Sequence, residues 1–168
     1  MLRLAHYSDI EAVFAIYMHE SVIPYLGYDA MPLEEFRPLF TELVKSHSFF
    51  VMERDGQVKG FCRATRHPGR AAHVAYLGTF AVSVDERGSG LAKQLMEQVI
   101  SKLQRQGVLR VELMVEADNS RALAFYKKLG FQHEGTLKAA YKRSHEEKYV
   151  DELFLGKLLD PLCMRCET

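Results

Sequence analysis

Neither sign of charge is in excess: 22 lysines and arginines stand against 22 aspartates and glutamates. No whole-chain field therefore draws the protein to nucleic acid or to an anionic membrane. No apolar run is long enough to span a bilayer, and the opening MLRLAHYSDIEAV turns acidic where a secretion signal would carry its apolar stretch. Together these absences point to a soluble, cytoplasmic protein. Cysteine is scarce and odd in number, three residues in all, which argues against a disulfide framework. Cys62 stands alone in a strand-like stretch and reads as a buried free thiol. Cys163 and Cys166 form one CxxC without the second pair that a four-ligand zinc site needs, so no metal is expected. No Pro/Gly/Ser-rich linker, internal repeat or acidic cluster interrupts the chain. What is present is 168 residues, 48% of them hydrophobic, enough for one substantial core and one domain.

Periodicity divides the chain into alternating elements. Met1 to His6 reads as a strand, after which Ser8, with Glu11 three residues on, forms a capping box for a helix carrying Ile10, Val13, Phe14, Tyr17 and Met18. A second helical pattern runs from about Leu33 to Lys45, with Pro38 predicting a kink or break. Strand-like residues flank Asp55-Gly56, a dipeptide that supplies positive φ to a tight hairpin. A further strand spans about Ala72 to Val82, where Gly78 suggests a bulge or a close approach of another group to the backbone. Leu91, Ala92, Leu95, Met96, Val99, Ile100 and Leu103 follow helical spacing up to Gly107. In VLRVELMVE, Val111, Leu113 and Val115 share one strand face; Asn119 then opens a helix that Gly130 ends. Two last strands, about Phe131–Leu137 and Tyr149–Leu155, flank a charged connection. The sum is an α/β protein with a mostly antiparallel sheet.

The segment VSVDERGSGLAKQLM carries the strongest chemical signal. A strand gives way to Arg87-Gly88-Ser89-Gly90-Leu91-Ala92 and then directly to an amphipathic helix, whose unpaired N–H groups and positive dipole end can hold a diphosphate. The same hexapeptide also fits a turn that binds nothing. A dinucleotide fingerprint fails, because Lys93 stands where its third Gly or Ala belongs, and no Gly-Lys-Ser/Thr marks a Walker A loop.

The segment resembles the coenzyme-A-binding motif of the GCN5-related N-acetyltransferase (GNAT) family, Q/R-x-x-G-x-G/A, matched in order by Arg87, Gly90 and Ala92. Residues 119–131, NSRALAFYKKLGF, are similar to that family's second signature, N-x-x-A-x-x-x-Y-x-x-x-G-F. Gly135-Thr136-Leu137 and KYVDELFLG look like the usual end of such a domain, which places the N-acetyltransferase domain over residues 1–159 and a C-terminal tail over 160–168. The resemblance implies a mixed, mostly antiparallel central sheet with about four helices and splayed strands that form the acyl-CoA cleft. It implies acetyl-CoA as cosubstrate, with pantetheine pairing along the backbone of Phe80, Val82 and Val84. Gly88, Ser89, Gly90, Leu91 and Ala92 would hold the pyrophosphate, Arg87 would add a charged donor, and Asn119 would reach the pantetheine arm.

The implied reaction is direct attack of a neutral amine on the thioester, with no covalent enzyme intermediate. Tyr126 corresponds to the family's usual general acid, a phenol that is protonated at neutral pH. The base is open among Glu116, Asp118, His73, Glu20 and a water chain. Glu116 ends a strand beside the cradle, also an ordinary place for a solvated acid. Tyr25, Tyr28 and Glu20, in the region from Tyr17 to Phe36, are candidates to line the acceptor pocket. The expected acceptor is a free amino acid or another small amine, with a protein N-terminus, a polyamine or an aminoglycoside as alternatives. A non-catalytic acyl-CoA-sensing module is the reading from a different class. An apolar strand edge near the C-terminus would suit a homodimer, by analogy alone.

Overall fold

The computed structural model describes residues 1–159, so Cys163 and Cys166 lie outside it. Seven strands form one sheet: β1 (Leu2–Leu4), β2 (Phe49–Arg54), β3 (Gln57–Arg66), β4 (Val74–Val82), β5 (Arg110–Glu116), β6 (Gln132–Lys142) and β7 (Tyr149–Leu158), in the order β1-β2-β3-β4-β5-β7-β6. Every neighbouring pair is antiparallel except β4 with β5. Four α-helices cover it: α1 (Ile10–Tyr17), α2 (Leu33–Lys45), α3 (Leu91–Arg105) and α4 (Ser120–Lys128). This is the mixed, mostly antiparallel α/β architecture expected.

Strand side chains alternate between faces, so the β2 run Phe49-Phe50-Val51-Met52, buried throughout, serves two cores. Phe49 and Val51 join Phe61 beneath Val13, Ile16, Tyr17, Phe36 and Phe40 of α1 and α2. Phe50 and Met52 join Cys62, Leu113 and Val115 beneath α3 and α4. The helical stripe Leu91, Leu95, Met96, Val99, Ile100 and Leu103 is buried as its spacing requires. Each such side chain taken fully from water stabilises the fold by about 1.5–3 kcal/mol. The Asp55-Gly56 turn has φ of 53° and 74°, the two positive values that a tight two-residue hairpin needs.

Two local expectations are corrected, and the two readings of Gly78 are resolved. Ser8 caps nothing: the chain first makes a short 3-10 turn over Tyr7–Asp9, and it is Asp9 that reaches back, its Oδ2 accepting from the His6 amide at 2.7 Å. Asp9 wins because its two oxygens also take a bidentate pair from Arg3 at 2.7 and 2.8 Å, which a hydroxyl could not accept. Pro38 does not break α2, which runs unbroken from Leu33 to Lys45 with the proline in its first turns and exposed. The β4 bulge lies just past Gly78: Arg63 pairs with Gly78 and Phe61 with Ala81, so Thr79 and Phe80 together oppose Cys62, with Thr79 at φ 49°. Gly78 answers to the other reading of a strand glycine, since a Cβ there would stand 3.0 Å from the Tyr76 ring.

The C-terminal edge of the sheet is β6, not the apolar β7, which lies between β5 and β6. β6 carries two register shifts and exposed Lys138 and Lys142, features that blunt pairing with another strand.

Burial alone would raise the pKa of Asp9, which is 8% exposed, but the hydrogen bonds from Arg3 and the His6 amide outweigh it and hold the carboxyl below its ordinary range. A carboxylate with a lowered folded-state pKa stabilises above its unfolded pKa of about 3.9, and that stability is lost as pH falls through the lower folded value. Asp9→Asn should therefore cost about 2 kcal/mol in urea unfolding at pH 7, and the difference from wild type should shrink in acid.

Candidate active site

The site is made by one departure from regular pairing. β4 and β5 are in register only at Val74–Arg110, Ala75–Val111 and Tyr76–Glu112, although β4 continues to Val82 and β5 to Glu116. Tyr76 stands at the fork, its ring against the backbone of Gly78. The Thr79–Phe80 bulge then adds twist to β4. Past the fork the ladder groups of β4 on this side have no neighbouring strand among the described residues. Ser83 donates to the Lys59 carbonyl of β3 at 2.8 Å, so by alternation the backbone of Val82 faces the opening. The side chains of Phe80 and Val82 pack on the α3/α4 side, Phe80 stacking on Phe125 with centroids 5.7 Å apart. Val84 falls outside the strand, in a 3-10 turn over Val84–Glu86, where its carbonyl accepts from Arg87 at 3.3 Å. Its expected role as a backbone partner would therefore be played from a turn and not from the strand.

The parted strands lead into the glycine turn. Gly88 and Gly90 have φ of 81° and 85° and an added Cβ would meet nothing, so these glycines serve backbone conformation rather than space. Ser89 donates its amide to the Glu86 carbonyl at 3.1 Å, and its hydroxyl accepts from the Leu91 amide at 3.2 Å. The first bond of α3 runs from Gln94 to the Gly90 carbonyl, which leaves the amides of Gly88, Gly90 and Ala92 without a protein partner among the described residues. This is the anion-ready end of a helix. Two carboxylates beside it, Asp85 and Glu86, are neutralised by Lys59 at 2.8 Å and by Arg54. The exposed Arg87 guanidinium donates to the Ser21 hydroxyl and so ties the turn to the segment after α1.

At the opening stand a phenol and a carboxylate. Tyr126 of α4 is 8% exposed and packs against Phe131 and Phe125 with centroids 5.6 and 5.3 Å away. Burial, aided by Cys62, Glu116 and Tyr76, raises the phenol pKa well above its ordinary value, so it keeps its proton. Glu116 is also 8% exposed, which overturns the reading of a solvated strand-end acid. Burial raises the pKa of its carboxyl against hydrogen bonds from its own backbone and from Asn119. Asn119 caps α4, its Oδ1 accepting from Ala122 at 3.1 Å, while its side chain also holds Glu116. The other base candidates separate: His73 precedes β4 at the closed end of the fork, Asp118 is bound by Arg143, and Glu20 is exposed. Burial pushes the Cys62 thiol up to about 12, which leaves no thiolate for covalent catalysis at neutral pH.

Beyond Glu116 lie residues that sequence reasoning missed. Glu152 of β7 is the register partner of Glu116. Arg143, in the connection from β6 to β7, donates to Asp118 at 2.7 and 3.0 Å, to Glu146 at 3.2 Å and to the Pro24 carbonyl at 3.1 Å. Its guanidinium lies over the rings of Tyr25 and Tyr141, 5.3 and 5.6 Å from their centroids. Tyr28 stays in the segment after α1, its ring 6.5 Å from that of Tyr17. The only local signal for the missed group was the charge of the connection itself, which does not say what its arginine would grip.

Residues 10–131 match the acetyltransferase (GNAT) family. The mycothiol acetyltransferase of Kocuria rhizophila is 41% identical over 85 residues, a stretch covering 49% of this chain and 28% of that protein. That of Streptomyces coelicolor is 40% identical over 84 residues, covering 49% and 26%. The match thus spans about a quarter of the length of these curated relatives. Among solved structures, the ribosomal-protein-alanine N-acetyltransferase from Brucella melitensis superposes with a TM-score of 0.77 at 26% identity, covering 95% of this chain and 99% of that one. A phosphinothricin acetyltransferase from Sinorhizobium meliloti, solved with acetyl-CoA, shares the fold with a TM-score of 0.75 at 20% identity, covering 96% and 89%. A family match that takes in β4, the glycine turn and α4 together carries the conclusion: the chain belongs to the GNAT family of acetyltransferases.

Proposed function

We propose that the protein transfers acetyl from acetyl-CoA to the primary amine of a small molecule, with Tyr126 as general acid and Glu116 as general base. The observation that carries this reading is the opening between β4 and β5, which has the glycine turn on one side and, at its mouth, a buried phenol within the field of a buried carboxylate. Pantetheine would add to β4 as a strand along Phe80 and Val82. Its diphosphate would take the amides of Gly88, Gly90 and Ala92, with Ser89 and Leu91 holding the turn and Arg87 adding a charged donor.

Glu116, directly or through a water, takes one proton from the acceptor ammonium. The neutral amine then attacks the thioester carbon, forming the C–N bond and placing negative charge on the carbonyl oxygen, which a β4 amide facing the opening can stabilise. Collapse breaks the C–S bond, the Tyr126 proton passes to the departing sulfur, and the surplus proton on nitrogen restores the phenol through solvent. The sum is an acetamide, coenzyme A thiol and one released proton. The relatives named above act on different acceptors by their names, mycothiol in one case and a ribosomal-protein alanine in another. They support N-acetylation more than any one acceptor.

Three measurements test this reading. Tyr126→Phe should leave acetyl-CoA binding by calorimetry intact while amine-dependent thiol release falls about a hundredfold or more; unchanged release would remove Tyr126 as the acid. Glu116 works deprotonated, so kcat/KM should fall as pH drops through an apparent pKa above the ordinary glutamate value of about 4.3, and Glu116→Gln should abolish that limb. Gly90→Ala, which forces a Cβ into φ 85°, should weaken acetyl-CoA binding about tenfold; unaltered affinity would place the diphosphate elsewhere. Acetyl-CoA binding with no turnover of any amine would favour a sensing module.

A further inference from the structure

We infer that Arg63 is a specificity-determining residue that receives an acceptor carboxylate, so that the amine acetylated carries a carboxylate several bonds from its reactive nitrogen. The inference rests on the reading of Glu116 and Tyr126 as the catalytic pair and names the acceptor class for that same site. It starts from a cation without a counter-charge. Among the described residues five arginines are half-buried: Arg3, Arg54, Arg63, Arg110 and Arg143. Four of them hold carboxylates. Arg3 holds Asp9 and Glu53, Arg54 holds Glu86, Arg110 holds Glu112 and Glu134, and Arg143 holds Asp118 and Glu146. Arg63 has no ion pair among the described residues, and its Nε is closed from water with no hydrogen-bond partner. A guanidinium keeps its charge at any ordinary pH, and a half-buried charge left unpaired is unfavourable.

The place of this cation fits the acceptor side of the fork. On β3, Phe61 belongs to the core under α1 and α2 and Cys62 to the one under α3 and α4, so by alternation Arg63 returns to the α1/α2 face. On β5, Val111, Leu113 and Val115 belong to the α3/α4 core, which turns Glu116 to the face of Arg63. The register partner of Arg63 is Gly78 of β4, two residues past the last β4–β5 pair. That glycine puts no side chain in the way: apart from its chain neighbours, the Tyr76 ring alone comes within 4 Å of where a Cβ would stand. On the other side lie Phe49, its partner on β2, and Tyr17 of α1, whose phenol feels the charge of Arg63. The Tyr17 hydroxyl donates to the Leu26 carbonyl at 3.5 Å, and its ring lies 6.5 Å from that of exposed Tyr28, so the cation borders the segment after α1. The protein's own acids leave it free. Glu112 is taken by Arg110 and His67, and Glu116 stands on β5, two inter-strand spacings from β3, or roughly 10 Å, before the fork widens the gap. An acceptor with its amine at Glu116 and its carboxylate at Arg63 must span that gap. The carboxylate of an α-amino acid, two bonds from the nitrogen, is too near. A side-chain carboxylate, or that of an ω-amino acid, is far enough away and takes charge-assisted bonds from the guanidinium.

Thiol release from acetyl-CoA, followed with the purified protein on acceptors matched in length, tests it: glutamate against glutamine, and 5-aminopentanoate against 5-aminopentanamide. The carboxylate member of each pair should have the higher kcat/KM by at least about tenfold, chiefly through KM. Arg63→Met, similar in length and uncharged, should bring the ratio toward one by raising KM for the carboxylates, and Arg63→Lys should keep part of the preference. Because Arg63→Met removes an unpaired half-buried charge, its urea midpoint should equal or exceed that of wild type, which separates a lost contact from a lost fold. Both enzymes see the same amines, so a change in ratio reports the pocket and not the basicity of the acceptor. Wild-type ratios near one or below overturn this inference and leave the proposed transfer standing; a ratio indifferent to Arg63→Met removes Arg63 as its cause. A lowered urea midpoint with equal losses on both members of each pair makes Arg63 a structural residue and overturns its role in selection. No release with any amine overturns the transfer and this inference with it.

Discussion

Everything that acts in this protein follows from the parting of β4 and β5 after Tyr76. A continuous parallel pair would satisfy its own ladder and leave no room for a thioester. The chain avoids that pairing with a glycine that admits the Tyr76 ring and a bulge that carries Thr79 into positive φ. A bulged residue outside its favoured region costs free energy. The two cores on either side of the sheet offset that cost. The fork itself is anchored at its closed end by three register pairs and on the other side of β5 by seven with β7.

Once the strands part, the neighbouring elements arrive with their polar ends directed at the gap. β4 runs into the glycine turn, so the positive end of α3 lies at one side. β5 runs into Asn119, which caps α4 and holds Glu116 with the same side chain. α4 carries Tyr126 back under the opening, where its apolar neighbours Phe80, Phe125 and Phe131 fix the ring. The ion pairs Lys59–Asp85 and Arg54–Glu86 keep negative charge near the turn from opposing an anion. On the far side, Arg143 fastens the last hairpin to the segment after α1 and gives the acceptor end a wall. The proposed cofactor side and the proposed acceptor side are thus built from different parts of the chain and meet at the fork.

How much of this was legible depended on the range of the interaction. Helix stripes, the Asp55-Gly56 hairpin and the glycine turn were readable because each depends on residues within one turn or one strand of each other. Ser8 was misread for the same reason turned round: its capping box was locally sound, but Arg3 and the His6 amide together favoured Asp9. The expected end of the strand at Val82 held, and Val84, named only through the family resemblance, lies in the turn that follows. Glu116 read as a surface acid because strand alternation points it away from Val115, and alternation cannot say what covers the other face.

By itself, then, the sequence determined the order of elements, the family and the glycine turn that opens α3, since a turn with free amides and a helix phenol are set by short segments whose geometry is local. Only the tertiary structure decided what stands at the proposed acceptor end. Glu116 and Glu152 are paired by the summed register of β5 and β7, and Arg143 reaches Asp118 and Pro24 only because the last hairpin folds back across the sheet. The charge a pocket presents is a sum over residues brought together from distant parts of the chain, and no local pattern carries that sum.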